Sequence, residues 1–154
     1  HPVDARLINK TPSSGLYGTP GQTNYGAAKA GIAGLTTIAA RELGRYGVTV
    51  NAVAPAALTR MTEDLGMGRV SDEEKKRLDP KWIAPIVTWL ASTESRGVTG
   101  RVFEASGRAF AIAEGWHRGP AAAPVDDPTR LGPIVRDLLG AARKNAGIDG
   151  NDLD

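Results

Sequence analysis

The feature that most constrains this chain is a succession of different element types with almost no slack between them. Ala5 to Asn9 (ARLIN) is a short apolar run closed by the turn-prone residues Lys10 to Gly15, and reads as a buried strand. Leu16 to Gln22 is broken by Gly and Pro and reads as a loop. A helical pattern then runs from Thr23 to about Tyr46, and Gly47 stands where a helix C′ residue belongs. Val48 to Ala54 (VTVNAVA) follows at once as a second buried strand. Strand, helix and strand joined so tightly imply a parallel sheet with a helical crossover.

The first half of the long helix is crowded with small residues, among them Gly26, Ala27, Gly31 and Gly34. Glycine inside a helix costs about 0.5–1 kcal/mol relative to alanine. A helix that keeps several is expected to need close backbone approach there, by a sheet, a ligand or the same helix of another subunit.

Further along, Pro55 ends the second strand, and Ala56 to Leu78 reads as a loop with a short helix around Ser71 to Leu78. Ser71 with Glu74 has the form of a capping box. Lys81 to Ser92 reads as a helix with Trp82, Ile83, Ile86, Val87 and Leu90 inward, and Pro85 is tolerable only near its first turn. Trp82 and Trp89 are expected in the core. Arg101 to Ser106 is a third strand. Gly119 to Pro128 has the composition of a linker, Leu131 to Ala142 has helical spacing, and the last residues, from Asn145, are expected to fray. The expected division is a body over 1–118 and a linker with a helical extension over 119–154.

Composition narrows the function by exclusion. The 154 residues carry 19 basic and 17 acidic side chains, a balance that argues against nucleic acid or an anionic membrane as partner. Cysteine is absent, so disulfide and thiolate chemistry are excluded. His1 and His117 are the only histidines and cannot form a conventional zinc site by themselves, so no metal is expected. No apolar stretch approaches the roughly 20 residues of a membrane span. The expectation is a cytoplasmic protein.

The chemistry rests on Tyr25 and Lys29, four residues apart at the start of the long helix and so on one face of it. An ammonium beside a phenol favours the phenolate. A phenol so placed can pass a proton to or from a carbinol oxygen. The bare spacing also fits a half-buried tyrosine and a solvated lysine on any helix.

The surroundings decide between the two. The stretch Gly15-Leu-Tyr-Gly-Thr-Pro-Gly-Gln-Thr-Asn-Tyr25-Gly-Ala-Ala-Lys29-Ala-Gly resembles the active-site segment of the short-chain dehydrogenase/reductases. The same is true of Val48-Thr-Val-Asn51-Ala-Val-Ala-Pro55 and of Val98-Thr-Gly-Arg-Val-Phe-Glu, in the same order, so the resemblance covers roughly residues 5–118. Pro55-Ala-Ala-Leu-Thr-Arg-Met-Thr62, Phe103-Glu104 and Gly115-Trp116 look like the dehydrogenase unit of peroxisomal multifunctional enzyme type 2 and its actinobacterial relatives.

The resemblance implies an α/β fold: the C-terminal part of a doubly wound, Rossmann-type parallel sheet, its fifth to seventh strands with their helices, without the N-terminal nucleotide-binding half. It implies hydride transfer between a secondary alcohol and a ketone, on a 3-hydroxyacyl-CoA or a steroid-like alcohol. NAD or NADP would be the cofactor, with NAD slightly preferred. Tyr25 would be the general acid/base, and Lys29 would hold the nicotinamide ribose and tune Tyr25. Pro55, Leu58 and Thr59 would meet the nicotinamide amide, although Pro55 and Leu58 also suit plain strand termination and packing. Met61 to Leu78 would be a lid over the substrate. Homo-oligomerisation through the helix after Thr23 is expected, or a partner supplying the missing half.

Two departures stand against this. The family's catalytic serine lies thirteen residues before the tyrosine, where this chain has Pro12, so Ser13 would have to take its place by a one-residue shift. No Gly-rich turn between a strand and a helix is present to cradle a pyrophosphate. The competing reading is therefore a non-catalytic remnant or interaction module that pairs with a full-length relative. Arg60 suits a CoA phosphate or a solvated loop, and Trp116, His117 and Arg118 suit packing of the C-terminal extension more than catalysis. A serine hydrolase using Ser13 or Ser14 with His117 lacks any G-x-S-x-G elbow.

Overall fold

The computed structural model describes residues 3–57 and 71–153. Strands β1 (Ala5–Lys10), β2 (Val48–Pro55) and β3 (Val102–Ala105) lie side by side in parallel, and β4 (Phe110–Ala113) closes the far edge antiparallel to β3. Helix α1 (Thr23–Leu43) crosses from β1 to β2. Among the described residues two helices lie between β2 and β3, namely α2 (Asp72–Arg77) and α3 (Ala84–Ala91), and α4 (Leu131–Ala141) follows the sheet. No described helix is long and apolar enough to cross a membrane.

β2 lies inside the sheet, and a run that is apolar except at Asn51 puts it there. Val50 to Ala54 are all buried, as covering both faces requires. Its alternate side chains divide between two layers. Val48 and Val50 meet Ala39, Ala40 and Leu43 of α1. Val53 meets Ile86 and Leu90 of α3, together with Ile8, Phe103 and Ala105. Ala52 and Ala54 point to the α1 side, but farther along the strand, where Leu16 covers them instead of the helix. That substitution of loop for helix opens the sheet's carboxyl end to chemistry.

Buried polar groups tie the joins. Asn51, 2% exposed, donates from Nδ2 to the Val98 carbonyl at 2.8 Å and accepts from the Arg101 amide at 3.1 Å, which fixes the approach to β3. Thr36 accepts from Asn9 Nδ2 at 3.0 Å, clasping α1 to β1. Gly47 takes φ 81°, the left-handed geometry that ends the 3₁₀ turn after α1. Ser71 accepts the Glu74 amide at 3.2 Å, half of the expected capping box, while the Glu74 carboxylate turns away to Arg108.

The structure departs from the sequence reading in five places. The sheet has four strands, because β4 folds back on β3. Pro55 is the last residue of β2 rather than a stop before it. Trp82, Val87 and Trp89 are 45%, 38% and 37% exposed, so of the inward set Ile86 and Leu90 alone are fully buried. Trp116 stands fully in solvent and packs nothing onto the body. The segment after α4 is not frayed: the Leu153 amide donates to Asn145 O at 2.7 Å and Gly147 to Asn151 O at 2.7 Å, while Arg143 Nε reaches Asp152 Oδ1 at 2.8 Å. These bonds make a small hairpin over 145–153.

Candidate active site

The chain leaves β1 through Thr11, whose amide extends the pairing to Val53 O at 3.0 Å. The Thr11 hydroxyl donates to the Lys29 carbonyl at 2.8 Å, so the strand's end is tied to the helix at the residue of interest. Pro12, with φ −76° and ψ 165°, then sets up a 3₁₀ turn over Ser13–Gly15. The amides of Leu16 and Tyr17 both donate to Ser13 O, at 2.9 and 2.8 Å.

This turn is pressed onto α1. A β-carbon on Gly15 would lie 2.6 Å from Lys29 Cβ and 2.7 Å from the Lys29 carbonyl carbon, which leaves glycine as the residue that fits. One on Gly26 would lie 3.2 Å from Ser14 O. Gly18 and Gly21, both at φ 81°, carry the chain round to α1, whose Gly26 amide bonds Gln22 O at 2.7 Å.

Tyr25 and Lys29 emerge from that packing on one face, with Lys29 Nζ 5.5 Å from the centroid of the Tyr25 ring. Tyr25 is 45% exposed, so its ring is open to a substrate, while Lys29 is half-buried with its stem along the turn. Ser13 is half-buried on the same turn, and among the described residues its hydroxyl makes no hydrogen bond. Pro55 closes β2 at the carboxyl end of the sheet, where the Ala56 amide bonds Ala105 O at 3.0 Å. Leu58, Thr59 and Arg60, with the first part of the expected lid, lie outside the described residues. An ammonium beside a phenol can hold ribose hydroxyls and relay a proton. Those donors fit the nicotinamide-ribose end of a dinucleotide.

Sequence reasoning missed Tyr17. Its hydroxyl donates to Glu104 Oε1 on β3, and burial followed by the Glu104 hydrogen bond pushes its pKa well above the ordinary phenol range. The nearby Arg143 charge pulls weakly the other way. Tyr17 belongs to the Gly15–Lys29 stretch, but its partner lies 87 residues away.

A groove of about 490 Å³ lined by Trp82, Pro85, Ile86, Trp89, Phe103, Ser106 and Phe110 lies on the α3 side of the sheet, away from Tyr25 and Lys29. Among the described residues no titratable side chain lines it.

Residues 2–107 match the family model described as enoyl-(acyl carrier protein) reductase. The hydroxyacyl-CoA dehydrogenase ChsB1 of Mycobacterium tuberculosis is 38% identical over 157 residues, which cover 98% of this chain and 49% of the relative. A solved short chain dehydrogenase from Mycobacterium avium superposes with a TM-score of 0.78 at 52% identity, over 93% of this chain and 48% of that one. The peroxisomal multifunctional enzyme type 2 of Drosophila melanogaster superposes at 0.68 with 32% identity, over 89% of this chain and 24% of that one. The chain thus spans about half the length of the first two proteins.

Proposed function

The chain belongs to the short-chain dehydrogenase/reductase family, and from that premise we propose that it carries the proton-transfer site of an NAD(P)-dependent alcohol/ketone oxidoreductase acting on 3-hydroxyacyl-CoA-like substrates. The observation that carries this reading is the Tyr25–Lys29 pair, Nζ 5.5 Å from the ring centroid, on a face opened at the sheet's carboxyl end. Open α/β sheets bind their ligands at such ends.

The bound nicotinamide supplies the hydride. In the reductive direction Tyr25 gives its hydroxyl proton to the ketone oxygen as the new C–H bond forms, and in oxidation it takes the alcohol proton back. Lys29 holds the ribose hydroxyls, its ammonium 5.5 Å from the centroid of the Tyr25 ring. Ser13 holds the substrate oxygen, and Pro55, Leu58 and Thr59 would be the residues that meet a nicotinamide amide. ChsB1 is described as a hydroxyacyl-CoA dehydrogenase, which supports the acyl-CoA class. In this reading β1, β2 and β3 are the fifth to seventh strands of a doubly wound sheet, and residues 119–154 are an extension on a body over 1–118.

The remnant reading draws on one observation of its own. Leu35 and Ile38 of α1 are 55% and 57% exposed beside Gly31 and Gly34, a face suited to the same helix of a second copy. Such pairing is compatible with catalysis and does not require it.

The test is calorimetric titration of the chain with NADH, Lys29→Ala serving as control, followed by reduction of a 3-oxoacyl-CoA monitored by NADH loss. Binding that weakens about tenfold or more in the variant supports the site, since one charge-assisted contact is worth about that much. A folded chain that binds no NADH would remove the proposal and leave the pairing module.

A further inference from the structure

We infer that Tyr17 and Glu104 form a positioning pair that holds the Ser13 turn against the Tyr25–Lys29 face, with the C-terminal hairpin over 145–153 as its cap. The inference rests on the catalytic reading above for its purpose, but not for its geometry.

Three contacts build it. The Tyr17 amide bonds Ser13 O at 2.8 Å, so fixing Tyr17 fixes the turn that bears Ser13. The Tyr17 hydroxyl is anchored on Glu104, near the carboxyl end of β3 and on the side of the sheet that Leu16 covers. The turn therefore spans from the helix, through Gly15 at Lys29, to the sheet, through Tyr17 at Glu104. A substrate oxygen placed by Ser13 and protonated by Tyr25 needs that distance held.

The hairpin completes the anchor. Gly150 adopts φ 81°, and a β-carbon there would lie 3.4 Å from Tyr17 Oη and 3.6 Å from Cε2 and Cζ, so its bare backbone lies against the phenol. The Gly150 amide closes a tight turn on Gly147 O at 2.9 Å, and Asp149 stiffens that turn by accepting the Asn151 amide at 3.1 Å and its side-chain NH₂ at 2.8 Å. Arg143 pairs with Asp152 at 2.8 Å across the hairpin's open end. The half-buried phenol has Glu104 as its acceptor, consistent with the raised Tyr17 pKa.

Amide hydrogen exchange and steady-state kinetics on the full chain test this, using Tyr17→Phe, Glu104→Gln and a chain stopped after Ala142. Exchange of residues 13–22 should quicken about tenfold in Tyr17→Phe, which loses one charge-assisted hydrogen bond, and should also quicken in the shortened chain, which loses the hairpin packed on the phenol, with β2 unchanged in both. Glu104→Gln keeps an acceptor oxygen and should stay near wild type. In 3-oxoacyl-CoA reduction, Tyr17→Phe should lower kcat about tenfold while the KM for NADH holds. Unchanged exchange over 13–22 would overturn the pair, and an equal rise in β2 would make Tyr17 a general stabiliser instead. A chain that fails to bind NADH yet shows the exchange pattern would overturn the catalytic reading and leave the anchor standing.

Discussion

Helix α1 keeps small residues at its start and again around its middle, and the structure treats the two differently. At its start Gly26 lies under the Ser14 carbonyl, and the helix backbone at Lys29 takes Gly15 at a distance no larger residue allows. A turn later, a methyl group added at Gly31 or Gly34 would touch nothing within 4 Å. The buried side of this second half is elsewhere, at Thr36, Ala39 and Ala40 against β2. Small residues at the start serve contacts within the chain, which hold Tyr25 and Lys29 in place. Those beyond it leave an open face beside Leu35 and Ile38, space that a further surface would use.

The largest expected effect lies in the closed half. Tyr25→Phe removes the transferable proton and should slow ketone reduction by about 10²–10⁴-fold. Its ring is 45% exposed and its hydroxyl makes no bond among the described residues, so the melting temperature should not move. Measured together, rate and melt separate chemistry from packing, and a variant that keeps its rate would take Tyr25 out of the mechanism.

Gly15→Ala attacks the same half through packing. The added methyl meets Lys29 Cβ at 2.6 Å and backbone atoms at 2.7 and 2.9 Å, which cannot all yield. Overpacking of this kind costs about 1–3 kcal/mol, read from denaturant unfolding. Because the clash bears on Lys29, NADH affinity should fall in step with stability. Gly34→Ala makes the opposite case: it should stabilise the isolated chain by about 0.5–1 kcal/mol through helix propensity. If the open face receives a second copy, the same methyl should weaken self-association in sedimentation. An equal loss of stability at Gly15 and Gly34 would erase the distinction between the halves.

Much of the closed half was legible in sequence because its logic is local. The Tyr25–Lys29 pairing needs only helical spacing, and the strands on either side of α1 are announced by Gly47 and by apolar runs. What stayed hidden depends on residues distant in the chain. Glu104 reads as one acidic residue in a strand until Tyr17 reaches it across 87 positions. The seven-residue spacing of Trp82 and Trp89 places them on one side of a helical stretch but not on which side, and they line a surface groove rather than the core. β4 was missed because Ser106–Arg108 reads as the end of an element. The structure makes it a tight return in which a β-carbon on Gly107 would lie 2.7 Å from Arg77 O. Gly147 and Gly150, in a segment expected to fray, are the turn of a bonded hairpin.

The smallest effect lies at the amino end of β1, a third setting, in which solvent-exposed ion pairs do the holding. β1 has a neighbour on one side only among the described residues, and Asp4 just ahead of it pairs with Arg96 at 2.6 Å and Arg6 at 2.5 Å. The Arg96 hydrogen bond, then that of Arg6, hold the Asp4 carboxyl below its ordinary value of 3.8. A carboxyl lowered in the folded state stabilises above its unfolded value, and that contribution is lost as pH falls through the folded one. Melting of the wild-type chain should therefore fall relative to Asp4→Asn only below about pH 4, and salt should narrow the gap. The carboxyl is 45% exposed, which keeps the effect small. If the gap instead persisted undiminished to pH 2, Asp4 would be holding β1 by packing, as Gly15 holds the turn at the other end of the strand.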